Sequence, residues 1–178
     1  MGVGIIGIGA SVPFPRALAD RIEKALGTDA RILGMVELDE GSFNARRKQY
    51  DAEKLLSYLN GLWLSHWEEW GGCRAVLGVT SVDIFVEGMN FVFGLATLNG
   101  RSGVVSTARL DPIFYGEKRN DELVRERLVK EALHEFGHIL GLHHCKNEQC
   151  VMSFSNSLAE VDRKGSAFCP ECRKRLGR

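Results

Sequence analysis

Asn120-Asp-Glu-Leu-Val-Arg-Glu-Arg-Leu-Val-Lys-Glu-Ala-Leu-His134-Glu135-Phe-Gly-His138-Ile-Leu-Gly141-Leu-His143-His144 is the stretch on which the reading of this chain turns. Asn120 is a fair N-cap, and Asp121 and Glu122 suit the positive end of a helix dipole. Leu123, Val129, Leu133, Phe136 and Leu140 follow at helical spacing and predict one apolar stripe on a helix over about 120–141. His134 and His138 are one turn apart on that helix and point the same way. Glu135 lies about 100° further round the axis, badly placed as a third ligand and well placed to reach a water beside the two rings. Gly141 accepts the positive φ that a helix stop needs, so the chain can turn back with another imidazole. Spacing from Gly141 selects His144 for that role, and the adjacent His143 stays open as the alternative. Three nitrogen donors leave a fourth position on a zinc ion for water, the layout of a catalytic site. The plain alternative, accidental core histidines, is outweighed by the fixed offsets of the glycine and the third histidine.

Downstream, Cys145 and Cys150 form one close pair and Cys169 and Cys172 another. Two such pairs with a loop between them predict a closed four-thiolate zinc site that staples a small lobe short of apolar residues. Disulfides or a redox Cys-x-x-Cys are the competing readings; the second normally opens a helix after a strand, and this pair lies in a basic tail. Cys73 is left over as a small apolar residue in a strand.

Upstream, residues 3–9 read as a buried strand, and Pro15 starts a helix with Leu18, Ile22, Ala25 and Leu26 inward and Gly27 as its stop. Residues 31–38 read as a second strand and 39–49 as a polar loop. Asp51 caps a helix bearing Leu55, Leu56, Leu59, Leu62 and Trp63, with Gly71-Gly72 as its end. Residues 73–80 make a third strand. Residues 91–98 and 103–110 make two more, joined through Asn99-Gly100, a dipeptide that favours a tight antiparallel reversal.

Basic and acidic residues balance at 23 each, which speaks against capture of nucleic acid or an anionic membrane by net charge. The basic end, Arg173-Lys-Arg175 with Arg178, reads as solvated surface. Gly7-x-Gly9 lacks the third glycine of a dinucleotide fingerprint, since Val12 stands there. No apolar run approaches the roughly 20 residues of a membrane span, and no basic residue precedes the N-terminal apolar run as in a signal peptide. The expectation is a cytoplasmic chain with reduced thiols and no pro-segment.

The pattern His134-Glu-x-x-His138-x-x-Gly141-x-x-His144 followed by Met152 resembles the metzincin clan of zinc peptidases. Cys145, Cys150, Cys-x-Met at 150–152 and Cys169-x-x-Cys172 make it more closely similar to the archaemetzincins, as does Asn90-Phe-Val-Phe-Gly94. The resemblance implies an α/β fold: a metzincin-like, mixed twisted sheet with an antiparallel edge strand, packed on helices that include the active-site helix, plus a small irregular zinc-stapled C-terminal lobe. It implies a single catalytic domain over 1–178, with an upper lobe 1–141, a lower lobe 142–178 and a cleft between them. Two zinc ions are expected, one catalytic on His134, His138 and His144 and one structural on Cys145, Cys150, Cys169 and Cys172, with Met152 as an apolar floor. The function expected is peptide-bond hydrolysis by a zinc-activated water with Glu135 as general base. The partner is a peptide or protein substrate extended along 91–98, and the chain is a monomer without nucleic acid or membrane. The competing function is a zinc-dependent peptide- or protein-binding module with little or no turnover.

Overall fold

The computed structural model of the chain describes residues 2–177; Arg178 of the basic end lies outside them. Strand β1 (Val3–Ile8) is buried at all six positions. Helix α1 (Pro15–Leu26) starts on Pro15 and stops at Gly27, which adopts φ 54° and donates its N–H to Glu23 O at 2.7 Å. Strand β2 (Ala30–Val36) follows.

Residues 39–49 are more ordered than the loop reading allows. They hold a 3₁₀ turn (Glu40–Ser42), β3 (Phe43–Asn44) and the start of β4 (Gln49–Asp51). β3 pairs antiparallel with β4, and β4 runs parallel to β6 (Ile84–Phe85), making a small second sheet. Helix α2 (Ala52–Ser65) is capped by Asp51, whose Oδ1 accepts from the N–H groups of Glu53 and Lys54 at 2.9 and 3.2 Å. It ends at Ser65, before the expected glycines. Gly71 and Gly72, at φ 63° and 65°, instead turn the chain into β5 (Ala75–Thr80).

β7 (Gly94–Ala96) and β8 (Ser102–Ser106) are shorter than the apolar runs predicted, because β7 pairs with β8 only from Gly94↔Val105 to Ala96↔Gly103 and β8 pairs with β5 only from Val76↔Ser102 to Thr80↔Ser106. The main sheet has the order β2-β1-β5-β8-β7; its first four strands are parallel and β7 is the antiparallel edge. This is the mixed α/β sheet expected.

Strand alternation sorts the helices into layers. Val3, Ile5, Leu77, Val79 and Val105 pack with residues of α1 and of α3 (Asp121–Ile139). Ile6, Ile8, Val76 and Val104 face the opposite way, toward Ala52, Leu55, Leu59 and Trp63 of α2. α3 departs from the single stripe: Leu123 and Leu140 are only half-buried, while Leu128, Val129 and the run from Glu131 to Gly137 are all buried. The cause is the segment after Gly141. It holds α4 (Leu158–Arg163) and α5 (Pro170–Arg175), and its Val151, Met152, Val161 and Phe168 join the cluster that contains α3. The reading of that segment as short of apolar residues is therefore corrected, since these side chains are 0–4% exposed. Cys169 also sits at the N-cap of α5, so its Cys-x-x-Cys opens a helix after all.

Candidate active site

The C-terminal end of α3 builds the site. Leu142 donates its N–H to Gly137 O at 2.8 Å and Gly141, at φ 91°, donates to His138 O at 2.9 Å. This paired closure turns the chain sharply. The same turn aims Leu142 O at His138 Nδ1, 2.8 Å away, while Val151 O stands 2.9 Å from His134 Nδ1. A carbonyl can only accept, so both Nδ1 atoms carry hydrogen and both Nε2 atoms present lone pairs. Those two Nε2 atoms are 3.1 Å apart.

The third ring is that of His144, with centroids 5.2 Å from His134 and 4.8 Å from His138. One ring nitrogen from each of the three lies within 4.8 Å of the others. His143 reaches the same cleft but is outside this group. Two lone pairs facing each other at contact distance need a positive charge between them. Nitrogens 2.0–2.1 Å from a tetrahedral zinc would be about 3.3–3.4 Å apart, so the donor set fits the ion. Burial, first, holds the proton affinity of all three imidazoles below its ordinary value, with Lys164 and the neighbouring histidines adding to it.

Glu135 is buried, and its Oε2 has no hydrogen-bond partner. Burial pushes its proton affinity well up, Glu131 adds to this and Lys164 opposes it. Glu131 and Lys164 form a buried ion pair, Oε1 to Nζ 2.8 Å, off the line of a good hydrogen bond. Lys164 Nζ also reaches Ser153 O at 3.4 Å, linking α3 to the turn that carries Met152. Neither the pair nor that link leaves a local signal in the sequence, because their residues are too far apart along the chain. Met152 is fully buried, and a Cβ on Gly137 would collide with its Sδ, so the methionine packs directly against the helix between His134 and His138. Cys145 N–H to Met152 O at 2.9 Å closes this floor.

The rings and Glu135 open into a cleft of about 390 Å³. Its wall includes Gly94, Leu95 and Ala96 of β7, with Met89, Phe91 and Phe154 at its apolar side. The expected edge, residues 91–98, thus borders the site.

Cys145, Cys150, Cys169 and Cys172 bring their sulfurs within 4.8 Å of one another. Cys145–Cys169 is 3.8 Å and Cys150–Cys172 3.7 Å, far beyond the roughly 2.05 Å of a disulfide. Sulfurs 2.3 Å from a tetrahedral zinc lie about 3.8 Å apart, so these four also fit the ion. Backbone N–H donation from Cys172 holds the Cys169 thiol down at about 7, whereas burial pushes Cys150 and Cys172 up. Cys73 is buried elsewhere, its thiol raised by burial.

Among known proteins, the profile of Peptidase family M54 matches residues 19–178. The archaemetzincin of Methanocaldococcus jannaschii is 43% identical over 145 residues, covering 82% of this chain and 75% of that protein. The archaemetzincin of Methanopyrus kandleri is 40% identical over 186 aligned residues, covering 100% and 97%. The crystal structure of archaemetzincin from Archaeoglobus fulgidus, complexed with malonate, superimposes with a TM-score of 0.83 at 38% identity, covering 98% of this chain and 99% of that one. With a match that takes in the sheet, the active-site helix and both donor clusters, the chain belongs to Peptidase family M54, the family of the archaemetzincins.

Proposed function

We propose that this zinc metallopeptidase cleaves an extended peptide or protein segment laid along β7, with His134, His138 and His144 holding the catalytic zinc and Glu135 as general base. When bound, the ion supplies Lewis acidity, making a water more acidic and a scissile carbonyl more electrophilic. The chain's own residues supply the rest. Val151 O and Leu142 O fix the tautomers of His134 and His138, keeping both Nε2 lone pairs on the cleft side. Glu135 Oε2 takes the proton of the attacking water, and the dry pocket that raises its proton affinity lets it hold that proton until the leaving amine receives it. The free edge of β7 offers N–H and C=O groups to the substrate backbone, and Met89, Phe91 and Phe154 receive apolar side chains.

The observation that carries this reading is the pairing of three converging imidazoles with a buried carboxylate oxygen that bonds to nothing. A mere binding module has no use for that oxygen. The test is Glu135→Gln, assayed on a panel of internally quenched peptides and aminoacyl reporters. Zinc content should match wild type while turnover falls by at least about 100-fold, the scale of a lost general base. Unchanged turnover rejects Glu135 as base.

The same proposal takes the four thiolates as a structural zinc site and residues 1–178 as a single catalytic domain, with lobes 1–141 and 142–178 flanking the cleft. It takes the chain as a cytoplasmic monomer without nucleic-acid partners; the free thiols support the compartment and the balanced charge the lack of nucleic acid. No helix of the described residues is long and apolar enough to cross a membrane.

A further inference from the structure

Gly94 opens β7, where a β-branched or aromatic residue would serve the strand better. The backbone does not call for glycine there: Gly94 is not among the positive-φ residues, and it pairs with Val105 in regular antiparallel register. Glycine within a strand marks the close approach of another group. That group is Glu135. A Cβ on Gly94 would lie 2.5 Å from Glu135 Oε1 and 2.8 Å from both Cδ and Cγ, its three nearest atoms all belonging to this one side chain. The carboxylate is 4% exposed, and its Oε2 has no hydrogen bond to aim it. Contact with β7 is therefore what limits where it can point.

We infer that Gly94 is a positioning residue: the bare Cα of the edge strand is the surface against which the Glu135 carboxylate rests, and any side chain at 94 displaces the base while sparing the imidazole donors. The catalytic half of this inference rests on the reading of Glu135 as base; the packing half does not. Gly94→Ala, Glu135→Ala and the double variant test both halves, with zinc counted on each protein. Gly94→Ala should keep the wild-type zinc content and lower kcat about 100-fold, with KM little changed, on an internally quenched peptide that the wild type cleaves. Its Tm should fall by roughly 3–10 °C in the wild-type background and by less than half as much beside Glu135→Ala, where the obstructing carboxylate is gone. An equal fall in both backgrounds would place the clash elsewhere and overturn the inference, as would a kcat within about threefold of wild type. Glu135→Gln separates the two readings: if it still cleaves, the base assignment fails, and the unfolding cycle alone then decides whether Gly94 seats the carboxylate.

Discussion

Glu135 carries the sharpest conflict in the molecule, an acidic group held where charge is expensive. Burial raises its proton affinity and Glu131 raises it further. The unfolded chain releases this proton near the ordinary value of 4.5, the folded chain only at higher pH. Between those two points the folded state binds the extra proton, so the contribution of Glu135 to stability is fullest in acid and declines as pH rises. In chelator-treated protein, Glu135→Gln should therefore raise Tm at pH 7–8 by several degrees, with the advantage vanishing toward about pH 4. Paired melts across that range check it, and a gap that stays constant down to acid would show that desolvation of this carboxylate is not the cause. The histidines shift the other way. Burial holds His134 well below the ordinary imidazole value and His138 and His144 below it, so they remain neutral donors at pH values where free imidazoles begin to protonate.

Among the elements, α3 packs against α1, α4 and the sheet strands β5, β7 and β8. Its Glu131 meets Lys164, both nearly inaccessible, at the end of α4. Lys164→Met should destabilise the chain by about 3–5 kcal/mol, because it strands a buried carboxylate, whereas Glu131→Leu with Lys164→Met should recover most of the loss. Denaturant unfolding of the three variants measures this; a double variant as weak as the single would mean that the pair acts through shape and not through charge. Element by element, legibility followed the range of the interactions. Pro15, Asp51, Asn120 and Gly141 act on their immediate neighbours, so the starts of α1, α2 and α3 and the stop of α3 could be read directly. The four-residue spacing of His134 and His138 and the Gly141 turn also made the histidine cluster legible. β3, β4 and β6 could not be read, since two- and three-residue strands exist only through partners such as Tyr50↔Ile84. The run 91–98 has the pattern of a continuous strand, yet only Gly94–Ala96 finds a ladder partner and its flanks line the cleft. Gly94 was visible within the run, but its reason, Glu135, lies on another element.

At the scale of the whole molecule, the imidazole cluster and the thiol cluster share one core. His144 and Cys145 are adjacent, and Cys150 and Cys172 belong to the hydrophobic cluster that surrounds α3. Zinc analysis should give two ions per chain for the wild type and one for His138→Ala, because the thiolate site has all four of its donors without the histidines. Loss of both ions in that variant would show that the sites cannot be filled independently. The packing of Met152, Phe168 and Cys172 beneath α3 also bears on how such an enzyme is made. A ribosome releases His134, Glu135 and His138 well before Phe168 and Cys172, so during synthesis the histidine helix lacks the underside that rigidifies it. The underside of the histidine helix is therefore complete only once the chain has been made past Cys172.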